Sequence, residues 1–235
     1  MLEKLKARVC EANLELKRSG LVILTWGNVS GIDRAEGLVA IKPSGVDYDE
    51  MRPVHMVIVD LEGKVVEGDL RPSSDTPTHL VLYREFQGIG GVAHTHSTHA
   101  TAWAQACRGL PCYGTTHADY FRGDVPVTAR LGRKELQGDY ERETGLAIVK
   151  AFRKLNPHER PAVLVANHGA FTWGPSPEAA VENSIVLEQV AEMAAITERL
   201  SLDLWGQPLV AVADSALVDK HFLRKHGKDA YYGQG

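Results

Sequence analysis

The sequence predicts a single α/β domain built on a mixed sheet that is covered by helices on both faces. Short apolar runs bounded by glycine, proline or asparagine alternate along the chain with segments whose apolar residues recur at helical spacing. No internal repeat, low-complexity tract or linker divides the 235 residues, and a chain of this length can bury a sizeable core as one domain.

The first half of the chain is predicted to begin with a helix and to continue with short strands. Apolar residues recur at helical spacing from Leu2 to Leu16, and Ser19-Gly20 ends that helix. A turn at Glu62-Gly63 joins two apolar runs and predicts a hairpin. Strands are expected at residues 21–24, 38–41, 56–59, 64–66 and 91–93.

The second half is predicted to be richer in helices. Ser176-Pro177-Glu178 has the features of a helix start, and the helix beyond it is apolar on most sides, which predicts deep burial or a subunit contact. Residues 109–138 are polar and glycine-rich, and the pattern assigns them no structure. Further helices are expected at about 77–86, 98–107, 143–154 and 214–226, and further strands at 163–166 and 170–173.

Composition excludes several classes of partner. A net charge of −4 with no long basic run argues against nucleic acid, although a small anion needs only a local cluster of donors. No apolar run approaches the roughly 20 residues that cross a bilayer, and the first residues lack the apolar core of a signal peptide. The three cysteines form no Cys-x-x-Cys, so buried thiols are favoured over disulfides. We therefore expect a cytoplasmic protein with no membrane partner.

A divalent metal site is predicted where a buried strand ends in His94-Thr95-His96. Residues two apart on a strand point to the same side, so both imidazoles face one point. The pair alone is a weak motif, and satisfied core or surface histidines are the alternative. His168 and Asp75 also lie at the ends of predicted elements, and three imidazoles with one carboxylate would complete a zinc site.

Three turns carry groups that bind anions. Glycine lets backbone N–H groups approach a ligand, serine donates hydrogen bonds and lysine supplies charge. Ordinary turn chemistry explains any one of them, but three turns beside a metal cluster favour the phosphate of a small metabolite. No Walker motif, Gly-x-Gly-x-x-Gly helix start or Gly-x-Ser-x-Gly elbow is present. The turns contain Asn28, then Lys42, Ser44 and Gly45, then Ser73, Ser74 and Asp75.

Two further segments hold titratable side chains. Residues 115–120 place an imidazole, a carboxylate (Asp119) and a phenol in a predicted loop, where aspartate is more often a turn former. Near the C-terminus, His221 and Tyr232 belong to a charged tail whose two tyrosines indicate packing against another surface.

Together these segments resemble the class II aldolase superfamily and, within it, the L-ribulose-5-phosphate 4-epimerases. The resemblance covers nearly the whole chain, and its central and C-terminal parts are specific to the epimerases. It implies one class II aldolase-like domain over residues 1–235, three-layered around a largely antiparallel sheet. It is carried by residues 1–3, 24–30, 41–48, 72–79, 94–97, 114–121, 219–221, 223–227 and 230–234.

The resemblance also implies roles for the candidate residues. One zinc ion per subunit, with manganese or cobalt as possible replacements, would be held by Asp75, His94, His96 and His168. The phosphate and sugar would be bound by Asn28, Lys42, Ser44, Gly45, Ser73 and Ser74. Asp119 and Tyr232 would act as acid and base, with His221 nearby. Family members are homotetramers with active sites at subunit interfaces, so the tail at 214–235 would complete a site.

The implied reaction interconverts L-ribulose 5-phosphate and D-xylulose 5-phosphate by cleaving and remaking the C3–C4 bond, through an enediolate that the metal stabilises. The nearest alternative is an aldolase of the L-fuculose-1-phosphate type, which tends to carry glutamate where Asp75 stands. A non-catalytic binding module, as in adducin head domains, is a further alternative. Asn167 and Ala170, where the family pattern has serine and proline, depart from it without removing a ligand.

Overall fold

The computed structural model describes residues 2–207 and 209–232, which contain eight helices and seven strands besides a short 3-10 turn. The last three residues of the predicted tail, 233–235, lie outside the described residues. The helices are α1 (Glu3–Arg18), α2 (Thr76–Glu85), α3 (Thr98–Gln105), α4 (Thr115–Ala118), α5 (Arg133–Gln137), α6 (Tyr140–Ala151), α7 (Pro177–Leu200) and α8 (Ser215–His226). The strands are β1 (Asn28–Asp33), β2 (Leu38–Ile41), β3 (Val57–Asp60), β4 (Val65–Glu67), β5 (Gly91–Thr95), β6 (Ala162–Leu164) and β7 (Ala170–Gly174).

The seven strands form one sheet in the order β4-β3-β2-β1-β5-β7-β6. Every pairing between these strands is antiparallel, and β1 pairs with β5 so that Asn28 lies opposite His94. A parallel contact occurs at the isolated bridge between Val127 and Leu164. The predicted α/β class with a largely antiparallel sheet is therefore confirmed.

Helices cover both faces of the sheet, because successive strand residues send apolar side chains to opposite sides. On one face, Val92 and Phe171 pack in a core with residues of α2 and α6. On the other face, Ala93 packs with residues of α1 and α7. The close approach of α2 and α6 depends on Gly145, where a Cβ atom would stand 2.7 Å from the Cβ of Val81. The N-terminal ends of α2 and α6 both reach the pocket described below.

Several predicted elements are confirmed within a residue or two. Ser176 caps α7, its hydroxyl accepting the Ala179 N–H, and the 62–63 turn joins β3 and β4. The strand predicted at residues 21–24 is wrong. Leu21 donates its backbone N–H to Leu16 at the end of α1, and Leu24 has a left-handed backbone (φ 55°) that a strand does not accommodate.

The segment at 109–138, which received no prediction, contains the two short helices α4 and α5. The helix predicted at 143–154 begins earlier, at Tyr140, where Asp139 accepts the N–H of Arg142. This earlier start matters for the site, because it brings the first turn of α6 to the wall of the pocket. None of the helices in the described ranges is long and apolar enough to cross a membrane.

Candidate metal and anion site

A pocket of about 540 Å³ contains most of the predicted site residues. It lies at the end of β5, beside the first residues of α2 and α6. The side chains that line it include three imidazoles, two carboxylates, a lysine and three serines. They belong to Thr25, Trp26, Gly27, Asn28, Lys42, Pro43, Ser44, Gly45, Ser73, Ser74, Asp75, His94, His96, Tyr140, Glu141 and His168.

The histidine cluster is formed by two elements. His94 lies on β5 and His96 just past it, and their Nε2 atoms are 3.0 Å apart. The Nδ1–H of His94 donates to the carbonyl of Ala170 (2.9 Å), so a neutral His94 ring keeps its Nε2 lone pair for the cluster. Its ring also stacks on Phe171, with centroids 4.2 Å apart. The predicted convergence of the two imidazoles is present in the structure.

His168 reaches the cluster from the tight turn between β6 and β7. Asn167 has a left-handed backbone (φ 62°), which asparagine tolerates better than most residues. A Cβ atom on Gly169 would stand 2.7 Å from the carbonyl of Thr95, so only glycine fits where this turn meets β5. One ligand nitrogen from each of the three histidines can then lie within 4.8 Å of the other two.

The environment of His96 and His168 keeps these two imidazoles neutral. Burial, and then the neighbouring His94, lower the pKa of His96 to about 4. Burial, and then His94 and His96, also lower the pKa of His168. Neutral imidazole is the form that binds a metal ion, so at pH 7 the lone pairs are available without proton release.

Asp75 occupies the N-cap position of α2 without capping it. Its Oδ2 instead accepts a hydrogen bond from the Asn28 Nδ2 at 2.6 Å. Burial raises the pKa of Asp75, but the neighbouring His94 and His79 and the hydrogen bond from Asn28 outweigh burial and leave the pKa below its usual value. Asp75 therefore lies in the pocket as a carboxylate, although it does not belong to the tight group of three histidines.

This donor set fits a divalent metal ion. One imidazole nitrogen from each of three histidines converges on one point, and the Asp75 carboxylate shares their pocket. Zinc binds imidazole nitrogen and carboxylate oxygen in tetrahedral sites, and a site with three or four protein ligands of this kind is common. The hydrogen bond from His94 to Ala170 is the kind of outer contact that orients a metal-binding imidazole.

Two of the predicted anion-binding turns lie side by side in the same pocket. The Ser73 N–H donates to the Lys42 carbonyl (3.0 Å), and the Ser44 N–H donates to that of Arg71 (2.9 Å). Lys42 is 2% exposed, with its Nζ 3.2 Å from the Pro43 carbonyl. Burial lowers the pKa of this amine to about 8. A buried ammonium with one carbonyl partner has donors left for an anion in the pocket.

Asp119, His221 and Tyr232 form a separate cluster and do not line this pocket. The Asp119 carboxylate lies 3.0 Å from His221 Nδ1 and accepts two bonds from Arg224. The Arg224 guanidinium lies over the Tyr232 ring, 4.6 Å from its centroid. Burial raises the pKa of Asp119, but the bonds from Arg224 and His221 outweigh it and keep the carboxyl ionised. The three predicted catalytic residues thus lie together, apart from the histidines of their own chain.

The sequence did not identify Tyr140 and Glu141 as site residues. The Tyr140 hydroxyl lies 3.2 Å from His168 Nδ1. The Tyr140 ring is tilted against the His168 ring, with centroids 5.9 Å apart. These two residues were missed because the helical pattern placed the start of α6 at residue 143, which left residues 140 and 141 outside the predicted helix. Asp139, a capping residue before Tyr140, could have indicated the earlier start.

One family model and several solved structures match most of this chain. Residues 7–195 match the family model for the class II aldolase and adducin N-terminal domain. An L-fuculose 1-phosphate aldolase structure is 28% identical, with a TM-score of 0.74, over 91% of this chain and 92% of the other. L-fuculose-1-phosphate aldolase from Thermus thermophilus is 27% identical, with a TM-score of 0.66, over 85% and 97%.

L-fuculose 1-phosphate aldolase from Glaciozyma antarctica shares the fold at 18% identity, with a TM-score of 0.75, over 98% of this chain and 85% of the other. The family match spans the sheet, both helical layers and the histidine cluster. The chain belongs to the class II aldolase and adducin N-terminal domain family.

Proposed function

We propose that the protein is a metal-dependent L-ribulose-5-phosphate 4-epimerase. The observation that carries this proposal is the shared pocket, in which three convergent imidazoles face a buried lysine and two serine-containing turns. Such a pocket can hold the oxygens of a ketose at one end and a phosphate at the other. A substrate with both groups is a small sugar phosphate.

The metal would be held by His94, His96 and His168, with Asp75 as the fourth ligand. When bound there, a divalent ion acts as a Lewis acid for negative charge on the sugar oxygens, an effect of several kcal/mol. Zinc suits this donor set, and manganese or cobalt could replace it. The chain's own contribution is to orient the ligands, through Ala170 for His94 and Asn28 for Asp75.

The phosphate would bind to Lys42 and to the backbone and hydroxyl donors of Ser44, Gly45, Ser73 and Ser74, with Asn28 contacting the sugar. Gly45 has a left-handed backbone (φ 70°) that glycine adopts without strain. The N-terminus of α2 follows directly after Asp75, and helix N-termini favour anions. A buried ammonium beside these donors supports a dianionic ligand.

The chemistry explains why an epimerase needs such a pocket. The hydrogen on C4 of L-ribulose 5-phosphate is not acidic, so direct inversion is difficult. Cleavage between C3 and C4 leaves its electron pair as an enediolate beside the C2 carbonyl and releases glycolaldehyde phosphate. If the phosphate stays bound while the aldehyde turns over, re-addition to its other face gives D-xylulose 5-phosphate.

Two proton-transfer groups are needed, one for each face of the aldehyde, and Asp119 and Tyr232 are proposed for them, with His221 bound to Asp119. Because these residues do not line the histidine pocket of their own chain, we propose that they serve a neighbouring subunit's pocket. Residues 214–235 would then complete an interfacial site, as in a homotetramer. This arrangement makes oligomerisation a condition for activity.

The second candidate is a sugar-phosphate aldolase, which the two L-fuculose-1-phosphate aldolase structures at 27–28% identity favour. An aldolase would cleave the same kind of bond but release both fragments. Asp75 favours the epimerase, because a glutamate acting as base is expected there in the aldolases. A non-catalytic adducin-like module would have no reason to keep the three histidines together.

One experiment separates these candidates. The zinc-loaded protein is incubated with L-ribulose 5-phosphate and, separately, with L-fuculose 1-phosphate, and the products are resolved by NMR. Formation of D-xylulose 5-phosphate without accumulation of free aldehyde supports the epimerase. Release of dihydroxyacetone phosphate from L-fuculose 1-phosphate, with no epimer from ribulose 5-phosphate, would assign the aldolase instead. Zinc binding with neither reaction would leave the binding module.

A further inference from the structure

Arg224, in the last turn of α8, contacts both of the residues proposed as proton-transfer groups. Its guanidinium donates to both oxygens of the Asp119 carboxylate, with Nε 3.2 Å from Oδ1 and Nη2 2.9 Å from Oδ2. The same guanidinium lies over the Tyr232 ring, 4.6 Å from its centroid. A planar guanidinium can make both contacts, because its edge carries the N–H donors and its face stacks on an aromatic ring. Arg224 therefore links two side chains from different segments of the chain.

The backbone of Arg224 also holds the tail in place. The N–H groups of Tyr231 and Tyr232 both donate to the Arg224 carbonyl, at 2.9 and 3.1 Å. The chain folds back over α8 after Gly227, where a Cβ atom would collide with the backbone of the preceding turn. The side chain and the carbonyl of one residue thus place Tyr232 relative to Asp119.

Asp119 itself is held by α8 at two points. Its carboxylate accepts a third bond from His221, whose Nδ1 lies 3.0 Å from Oδ1. Its backbone carbonyl accepts a bond from the His226 Nε2–H at 2.8 Å. The side chains of Asp119 and Arg224 are both partly buried, which strengthens hydrogen bonds between charged groups. Among these contacts of α8, the one made by Arg224 extends to Tyr232.

The charge of Arg224 favours the ionised form of Asp119. Burial raises the pKa of this carboxyl, but the hydrogen bonds from Arg224, and then from His221, outweigh burial and leave the pKa below its usual value. An ionised carboxylate can accept a proton, so Asp119 is available as a base at neutral pH. Other ionisable groups packed around Asp119 belong to Tyr120, Lys225, His226, Tyr232 and, on α7, Glu182.

We propose that Arg224 is a positioning residue, which holds Asp119 and Tyr232 at a fixed separation so that they act as one proton-transfer unit. This inference rests on the proposed function. The contacts that form the unit all lie within one chain, on α8 and the tail behind it. A neighbouring pocket would therefore meet two groups already placed for the two faces of the aldehyde, with no further ordering of the tail.

The test replaces Arg224 in two ways. Arg224→Met removes the charge and the donors, whereas Arg224→Lys keeps the charge but lacks the planar fork. In the zinc-loaded full chain, kcat for epimerisation of L-ribulose 5-phosphate should fall about 10- to 100-fold in both variants, because a small displacement of a reacting group is costly. KM should change by no more than about twofold, because Arg224 does not line the pocket. Melting temperature and oligomeric state show whether each variant folds and assembles.

The pH profile separates this role from a purely structural one. Losing an opposite charge at this distance should raise the pKa of Asp119 by about one unit or more, so the acid limb of kcat/KM should move to higher pH in Arg224→Met. In Arg224→Lys the limb should stay near its wild-type position. Asp219→Asn is the matched control, since it removes a 2.7 Å ion pair between Arg122 and the same helix that involves neither Asp119 nor Tyr232. Its kcat should stay within about twofold of the wild type.

Three results would count against the inference. Wild-type kcat with an unshifted acid limb in both Arg224 variants overturns it. An equal loss of kcat in Asp219→Asn also overturns it, because general loosening of α8 would then explain the effect. A zinc-loaded wild type that does not epimerise L-ribulose 5-phosphate overturns the proposed function and the inference together, which distinguishes the two failures.

Discussion

Replacing Lys42 by methionine should stabilise the fold while weakening substrate binding. Lys42 is 2% exposed, and burial lowers its pKa from 10.5 to about 8. Each pKa unit corresponds to about 1.36 kcal/mol, so keeping the ammonium charged inside the protein at neutral pH costs up to about 3 kcal/mol. Methionine has a similar length and no charge to bury, so Lys42→Met should recover about 1–3 kcal/mol in the free energy of unfolding.

The stabilisation expected from Lys42→Met depends on pH, in a direction set by the lowered pKa of Lys42. The native pKa of Lys42 is below the unfolded one, so the penalty is fully present below about pH 8 and shrinks as pH rises toward 10.5. Lys42→Met should therefore raise the melting temperature by several degrees at pH 7, and the gain should diminish by pH 10. Lys4→Met, which removes an exposed lysine on α1, is the matched control and should show no such gain.

The same substitution should damage activity. A hydrogen bond to a charged group contributes about 1.5–3 kcal/mol, so kcat/KM for a phosphorylated substrate should fall about 10- to 150-fold. KM should rise, and kcat should also fall, because the phosphate anchors the aldehyde during its rotation. Steady-state kinetics with L-ribulose 5-phosphate provide the check. An unchanged KM, or a lower melting temperature at pH 7, would refute the reasoning.

Three further predictions concern the metal, the pH profile and the tail. His94→Asn should lose zinc and activity, with far-UV circular dichroism unchanged; retention of stoichiometric zinc would contradict the assigned ligand. Because Lys42 must be charged to bind the phosphate, kcat/KM should decline above about pH 8, and a profile flat to pH 10 would exclude that role. Tyr232→Phe should slow epimerisation more than C3–C4 cleavage, measured as exchange with labelled glycolaldehyde phosphate. Hybrids of His94→Asn and Tyr232→Phe chains should regain partial activity if the site spans two subunits, and confirmed hybrids without any rescue would place it within one chain.

The sequence predicted the parts of the fold that local chemistry decides. Ser176-Pro177 marked the start of α7, and the period-2 spacing of His94 and His96 predicted that their rings converge. The strand predicted at residues 21–24 was wrong because an apolar run indicates that a segment is buried, but it does not indicate that another strand pairs with it. Leu21 is buried by the end of α1, while β5 pairs with the following segment, which begins at Asn28.

The remaining site features depend on contacts that no local pattern encodes. Tyr140 joins the pocket only because α6 packs on α2 and directs its first turn toward His168. The separation of Asp119 from the histidine pocket likewise becomes visible only in the folded chain.

The most direct test of the proposed bond cleavage is to run the reaction in deuterated water. The zinc-loaded protein is incubated with L-ribulose 5-phosphate, and the product is examined by NMR for deuterium at C4. Cleavage and re-addition between C3 and C4 never break the C4–H bond, so we predict D-xylulose 5-phosphate that retains its hydrogen at C4. Deuterium at C4 would mean that the carbon is inverted by proton removal, and it would contradict the account, as would the absence of any epimer.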